Sequence, residues 1–472
     1  MATWLLGLAL FLVHLLGILS SVMALMSSRT SQGAIAWIIS LVTFPYVALP
    51  AYWIFGRPRF YGYVSARGER DTVLRRVLER HRPQVAPYTS SDHPYELRGL
   101  ECLAQMPLTS GNRADLLVDG ETTFDSIFAG IDAAEEYVLI QFFIVRNDDL
   151  GQRFKQRLEQ AASKGVRVYF LYDEIGCRSL SDGYLRDLSN AGVYVSAFHS
   201  SRGLRHRFQL NFRNHRKIVV VDGYLGWLGG LNVGDEYLGQ HARHGAWRDT
   251  HLKLTGPSAL GLQEAFWEDW HWATGEILQL DWQPRVTCEE NQDVLIIPSG
   301  PADEQETASL MVQQAIHGAK HRFWVTSPYF VPDQGVQDAL RLAAMRGVDV
   351  RIMMPERPDH LLVFLSAFAF LPDMVRAGVK VYRYQPGFLH QKVMLIDNAG
   401  ATVGTVNLDN RSFRLNFEIT AYIADSRFVA EVESMLERDF ANCRQVMLEE
   451  LQRRPMWRKL VSRATYLLAP IQ

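Results

Sequence analysis

HRKIVVVD occupies positions 215–222 of this 472-residue chain, and HQKVMLID occupies positions 390–397. Both read His-x-Lys-x4-Asp, and each runs on into a small-residue turn that ends in Asn, GGLN at 229–232 and GTVN at 404–407. His215, Lys217, Asp222, Gly229 and Asn232 therefore recur 175 residues later as His390, Lys392, Asp397, Gly404 and Asn407. The segments upstream repeat as well. IDAAEEYVLIQFFIV (131–145) matches IHGAKHRFWVTSPYFV (316–331), ASKGVRVYFLY (162–172) matches AMRGVDVRIMM (344–354), and LSNAGVYVSAF (188–198) matches MVRAGVKVYRY (374–384). In each pair a helix end leads into an apolar, β-branched run that reads as a strand. These upstream offsets vary from 182 to 186 residues, whereas inside the motif the offset is constant. Insertions are accommodated between elements but not within the motif, as expected of a duplicated α/β unit. The chain should form a pseudo-twofold pair of α/β repeats, at 99–285 and 286–450.

A strand places alternate residues on one face, so His215 should share a side with Lys217, and His390 with Lys392. An imidazole beside a fixed ammonium group makes an anion site, best suited to phosphate. The turns at Gly229–Gly230 and Gly404–Thr405 can bring backbone N–H groups onto the same oxygens, and Asn232 and Asn407 add side-chain amides. Asp222 and Asp397 complete each catalytic motif, but five residues beyond Lys they are expected to tie down the local turn rather than to touch substrate. One motif alone would read as an ordinary surface strand; two, at matching places in matching repeats, do not.

Two histidines facing each other across a pseudo-twofold axis suit two-step phosphoryl chemistry. One attacks phosphorus while neutral, and the other donates a proton to the leaving alcohol and later takes one from the incoming alcohol. Lys217, Lys392, Asn232 and Asn407 would stabilise the equatorial oxygens. No metal is needed, and no cofactor is expected.

The doubled pattern resembles the phospholipase D superfamily. Longer strings resemble its bacterial cardiolipin synthase branch: FGRPR after the apolar N-terminus, RNHRKIVVVDG, GGLNVGDEY, WRDTHLKLTGP, PSGP (298–301), TSPYFVPD (326–333) and GTVNLDNRSFRLNFE. The resemblance covers essentially the whole chain. It implies mixed sheets flanked by helices, and transfer of a phosphatidyl group from one phosphatidylglycerol to another, giving cardiolipin and glycerol. It also implies His215 as nucleophile, His390 as general acid/base, and a carboxylate orienting each imidazole, with Asp249 and Glu418 at the matching positions. Gly230 departs from the Ser of many superfamily members and from Thr405 of the second copy, removing one hydroxyl near the phosphate. Tyr329 is a candidate headgroup contact; Phe330 and Trp227 read as core. Hydrolysis of phospholipid, or transfer to another acceptor such as phosphatidylethanolamine, is the competing activity.

The partners follow from the ends of the chain. Residues 2–28 carry no charged side chain, and a second uncharged apolar run covers 34–56. Each is about the length of a membrane span, ~20 residues, so residues 1–56 are expected to form two transmembrane helices, followed by a connector at 57–98. Only Arg29 lies between the runs, whereas Arg57, Arg59, Arg67 and Arg70 follow them. The positive-inside rule then puts the N-terminus and the catalytic part in the cytoplasm of a bacterial inner membrane. Residues 451–472 add Arg453, Arg454, Arg458, Lys459 and Arg463 among Trp457, Leu460 and Leu467, a basic amphipathic tail suited to an anionic bilayer. Membrane lipids are thus the expected partners. A net charge of −2, from 49 basic and 51 acidic residues, lacks the basic footprint of a nucleic-acid binder. Four widely spaced cysteines, with no CxxC, read as buried thiols in a reducing compartment.

Overall fold

The computed structural model describes residues 2–56, 95–198, 211–240 and 245–472, with isolated residues between 63 and 89. Most of the expected connector, including Arg57, Arg59, Arg67 and Arg70, lies outside the described residues.

Fourteen principal strands build the body. In the first repeat they are β1 (Thr109–Val118), β2 (Tyr137–Phe142), β3 (Arg167–Asp173), β4 (Tyr194–Phe198), β5 (Ile218–Val221), β6 (Leu225–Gly229) and β7 (Thr250–Thr255). The second repeat supplies β8 (Gln292–Ser299), β9 (Arg322–Thr326), β10 (Asp349–Pro355), β11 (Lys380–Tyr384), β12 (Val393–Ile396), β13 (Gly400–Gly404) and β14 (Asn416–Ala424). They lie in one 16-stranded sheet in the order β4-β3-β2-β5-β6-β7-β1-β8-β14-β13-β12-β9-β10-β11. Read outward from the β1/β8 junction, the two halves have the same order, so the pseudo-twofold passes between these strands. β2, β3 and β4 pair in parallel and β2, β5, β6 and β7 antiparallel, and the second half repeats this mixture.

The repeat equivalences hold element by element. Gly165 and Gly347, at φ 89° and 91°, end helices Asp149–Ser163 and Gln334–Met345 ahead of β3 and β10. Gly192 and Gly378, at φ 94° and 99°, do the same ahead of β4 and β11. All four residues of β5 and of β12 are buried, so both faces of these strands are covered. That is why IVVV and VMLI read as continuous apolar runs rather than alternating ones. Phe330 and Trp227 are core residues, as expected. The cysteines differ from expectation: only Cys177 is buried, Cys102 is exposed, and Cys288 and Cys443 are half-buried. Solvent reaches the other three at least in part.

The N-terminal region departs from the expected pair of spans. α1 (Ala2–Ser27) is the one helix, among the described residues, long and apolar enough to cross a bilayer. The second run is divided into α2 (Ser31–Thr43) and α3 (Pro45–Phe55). Pro45 has no N–H to continue the helix, and its ring drives the preceding residue out of the helical region; Phe44 sits at φ −140°, ψ 58°. α3 then folds back along α2, since the rings of Trp37 and Tyr52 meet edge-on at 5.2 Å. A straight helix would hold those residues about 22 Å apart. The loop between α1 and α2 touches the body through an Arg29–Glu306 ion pair at 3.1 Å, and Arg414 Nε also donates to Glu306 at 3.1 Å.

At the other end of the chain, helix Met456–Tyr466 packs on the body beside helix Leu361–Ala367. The Arg454 guanidinium lies 3.7 Å from the centre of the Phe368 ring, and Phe370 meets Tyr466 edge-on at 5.2 Å.

Candidate active site

Each His-x-Lys falls just before its strand, not on it. Residues 215–217 lie between a two-residue strand, Arg213–Asn214, and β5. The short strand pairs with β14 of the other repeat, and His215 N–H donates to the Phe417 carbonyl at 2.9 Å. The second motif mirrors this. Phe388–Leu389 pairs with Trp247–Arg248 of the first repeat, and His390 N–H donates to the Arg248 carbonyl at 2.8 Å. Each histidine is thus the point where the chain leaves the opposite repeat and enters its own sheet.

The side chains cross over in the same way. His215 Nδ1 lies 2.8 Å from Glu418 Oε2, and His390 Nδ1 lies 2.6 Å from Asp249 Oδ2. Asp249 and Glu418 each contact the histidine carried by the other repeat. A carboxylate accepts, so Nδ1 carries the hydrogen and Nε2 of each neutral ring is left with a lone pair. Aromatic side chains hold the rings: Phe143 edge-on to His215 at 5.1 Å, and Trp247 and Tyr237 at 5.3 and 5.9 Å from His390.

Burial dominates the electrostatics. Removal from water pushes His215 down to about 4, although Glu418 opposes the shift. His390 is lowered too, first by burial and then by the Lys392 charge, against the pull of Asp249. Burial would raise both carboxyls, but interaction with the histidines and the nearby lysine charges outweighs it, holding Asp249 down at about 2 and Glu418 below its usual range. The resting site therefore holds neutral imidazoles on ionised carboxylates. Lys217 is pushed down to about 7 and Lys392 to about 8, mainly by burial. Lys392 also lowers Lys217 and His215, and Lys217 lowers His390, so both motifs share one electrostatic site.

The remaining motif residues divide into two groups. Lys217 Nζ donates to the His215 carbonyl at 2.7 Å, and Lys392 Nζ to the His390 carbonyl, leaving N–H groups on each ammonium for a ligand. Asn232 is more engaged than expected, with Oδ1 accepting from Ile144 N–H at 3.1 Å and Nδ2 donating to Tyr237 Oη at 2.6 Å. Asn407 is buried, and its Oδ1 has no partner among the described residues. Asp222 and Asp397 lie at the far end of their strands, roughly 16 Å of extended chain beyond each Lys. Each accepts from three successive backbone N–H groups at 2.8 Å, those of residues 135–137 and 320–322, and each sits at φ 49°. They clip the start of β2 and β9 to the β5 and β12 turns and take no part at the imidazoles.

The Gly230 departure has a local cause. A Cβ there would come within 2.0 Å of Asp249 Oδ1, and one at Gly229 within 2.5 Å of His251. In the other half, the equivalent Thr405 side chain fits beside the longer Glu418, accepting from Ile419 N–H at 2.8 Å. Gly404 is equally confined, with Ile419 O only 2.5 Å from where its Cβ would stand. The absence of any side chain at Gly230 leaves room for the Asp249 carboxylate beside His390.

Sequence reasoning missed the ring of residues behind the site. Arg216 donates to Asp269 at 3.0 Å and to the Glu418 carbonyl at 3.0 Å. Arg248 forks onto Asp439, with both bonds 2.9 Å. Gln391 donates to the same Asp439 at 2.8 Å and accepts from Thr250 Oγ1. A signal existed: Asp269 follows Asp249 by 20 residues and Asp439 follows Glu418 by 21. Tyr329, the candidate headgroup contact, is half-buried and donates to Asp359 Oδ2 at 2.6 Å.

Comparison with known proteins agrees with this geometry. A family model described as "Cardiolipin synthase, PLD-like domain" matches residues 127–270 and 312–440, one match per repeat. Cardiolipin synthase A of Pseudomonas putida is 47% identical over 475 residues, covering 98% of this chain and 98% of that protein. Cardiolipin synthase A of Pseudomonas aeruginosa is 46% identical, covering 100% of this chain and 97% of that one. Among solved structures, a phosphatidylserine synthase from Haemophilus influenzae aligns with a TM-score of 0.61 at 15% identity, covering 80% of this chain and 100% of that one, a likeness of fold. With both repeats matched and near-complete coverage by its relatives, the chain belongs to the cardiolipin synthase family of phospholipase D-like proteins.

Proposed function

We propose that this protein is a cardiolipin synthase, a phosphatidyltransferase that joins two phosphatidylglycerols into cardiolipin and releases glycerol. The observation that carries this reading is the crossed pair His215–Glu418 and His390–Asp249 beside Lys217 and Lys392. His215 Nε2, neutral at physiological pH, attacks phosphorus as the ester bond to the glycerol headgroup breaks. His390 hands its proton to the departing glycerol oxygen. An anionic phosphate entering beside His390 favours the imidazolium, and Asp249 stabilises that charge. The phosphatidyl group is then held on His215, and His390 takes the proton from the terminal hydroxyl of a second phosphatidylglycerol. That oxygen attacks phosphorus, the P–N bond breaks, and cardiolipin forms. Lys217 and Lys392 bear the developing charge on the non-bridging oxygens, with Asn407 and Asn232 as further donors.

The protein acts at a bacterial inner membrane, with α1 as anchor and the catalytic body on the cytoplasmic side favoured by Arg57, Arg59, Arg67 and Arg70. The test is purified protein in vesicles of labelled phosphatidylglycerol with EDTA present, its products resolved by lipid mass spectrometry. Cardiolipin and glycerol in equal amounts are expected. Phosphatidic acid without cardiolipin would replace transfer by hydrolysis, and cardiolipin only when phosphatidylethanolamine is added would change the acceptor.

A further inference from the structure

The chain passes from the buried site to solvent along one short path. Asn407, in the buried site, is followed by Leu408, whose N–H donates to Ser327 Oγ at 3.0 Å, and Ser327 Oγ donates to the Tyr329 carbonyl at 2.7 Å. Tyr329, bonded to Asp359, is half-buried, and its ring lies 5.9 Å from that of His360, which is exposed. The next two residues, Leu361 and Leu362, are 62% and 54% exposed. They begin the helix that packs beside Met456–Tyr466, where Trp457 and Leu460 are 61% and 64% exposed. Arg453, Arg458 and Arg463, also exposed, flank those apolar side chains. Large apolar groups clustered at the rim of a site and bordered by cations match the headgroup boundary of an anionic bilayer, where the rings and leucines meet acyl chains and the arginines meet phosphates. The loop that holds α1 joins the body close by. Arg29 pairs with Glu306, Glu306 with Arg414, and the neighbouring Arg411 N–H donates to the carbonyl of Gln472, just beyond the C-terminal helix.

We propose that the edge formed by Leu361, Leu362, Trp457 and Leu460 rests on the anionic leaflet and admits lipid headgroups past Tyr329–Asp359 to His215 and His390. This rests on the lipid substrate proposed above. The test compares full-length protein with the Leu361→Ser/Leu362→Ser and Trp457→Ser/Leu460→Ser variants on two substrates: vesicles of long-chain phosphatidylglycerol, and dihexanoyl phosphatidylglycerol kept below its micelle concentration. The vesicle rate should fall about tenfold or more, while the dissolved-substrate rate stays within twofold. An unchanged vesicle rate overturns the proposal, and so does an equal fall on both substrates, which would give these residues a role at the histidines themselves. If the unmodified protein makes no cardiolipin from either substrate, the function reading fails instead.

A second inference stands on different observations. We infer that the chain crosses the bilayer once, through α1, and that α2 and α3 dip into the leaflet on the body's side and return. In a two-span hairpin the α1–α2 loop would lie a bilayer's thickness, about 30 Å, from the body; the Arg29–Glu306 pair holds it against the body. The Trp37–Tyr52 contact brings the end of α3 back to the start of α2. This arrangement also puts the five arginines of the first 70 residues, Arg29, Arg57, Arg59, Arg67 and Arg70, on one side of the bilayer, whereas a hairpin strands Arg29 on the other. The test labels Ala2→Cys and Ser31→Cys variants in spheroplasts with a membrane-impermeant maleimide. Position 2 should react in intact spheroplasts and position 31 only after lysis. Any other pattern overturns the inference.

Discussion

Glu418 lies 203 residues from His215 along the chain and 2.8 Å from its Nδ1. Asp249 lies 141 residues from His390 and 2.6 Å from its Nδ1. Neither repeat alone supplies the carboxylate that bonds its own histidine, so the candidate active site draws on both halves. Glu418→Gln and Asp249→Asn keep the shape but remove the charge that stabilises an imidazolium. Each should lower kcat by about 100-fold or more, with a smaller effect on the KM for phosphatidylglycerol and no change in circular dichroism. A variant that keeps a tenth of the activity would remove its carboxylate from the mechanism.

The buried lysines set the alkaline side of the pH profile. Burial pushes Lys217 down to about 7 and Lys392 down to about 8, and only the ammonium form attracts phosphate. As pH rises through this window the free enzyme loses positive charge, so kcat/KM, which reports free-enzyme groups, should fall between pH 7 and 9. His215, pushed down to about 4, stays neutral throughout and should put no acid limb above pH 5. Initial rates in vesicles across pH 5–9 check this; a flat profile up to pH 9 would contradict it.

Asp222 is a test of structure rather than chemistry. Its carboxylate accepts three backbone N–H groups at 2.8 Å. Asp222→Ala leaves them without that partner, which should cost about 3 kcal/mol and lower the melting temperature by several degrees. The protein that stays folded should keep its KM. A loss of kcat at unchanged melting temperature would give Asp222 a catalytic role after all.

Gly230→Ser restores the hydroxyl common in the superfamily, yet its Cβ would press on Asp249 Oδ1. It should therefore lower kcat about tenfold by displacing the carboxylate behind His390, an effect read in the vesicle assay. A gain in activity would mean that the carboxylate moves aside freely.

Much of this protein is local in its chain. The His-x-Lys-x4-Asp spacing, the glycines at 165, 192, 347 and 378 that close helices, and the buried runs IVVV and VMLI announce a duplicated α/β unit, because turn conformation and hydrophobic patterning act over a few residues. The same locality marked Asp222 and Asp397 as turn clips. What only the tertiary structure decided is which group faces which. That Glu418 serves His215 and Asp249 serves His390 follows from the docking of β1 on β8 and from short strands that pair across the repeats. That the residues 34–56 form a turned-back pair of helices follows from Pro45 together with the packing of Tyr52 on Trp37. Patterning shows that a segment will be buried, but its partner is set by the packing of surfaces hundreds of residues apart.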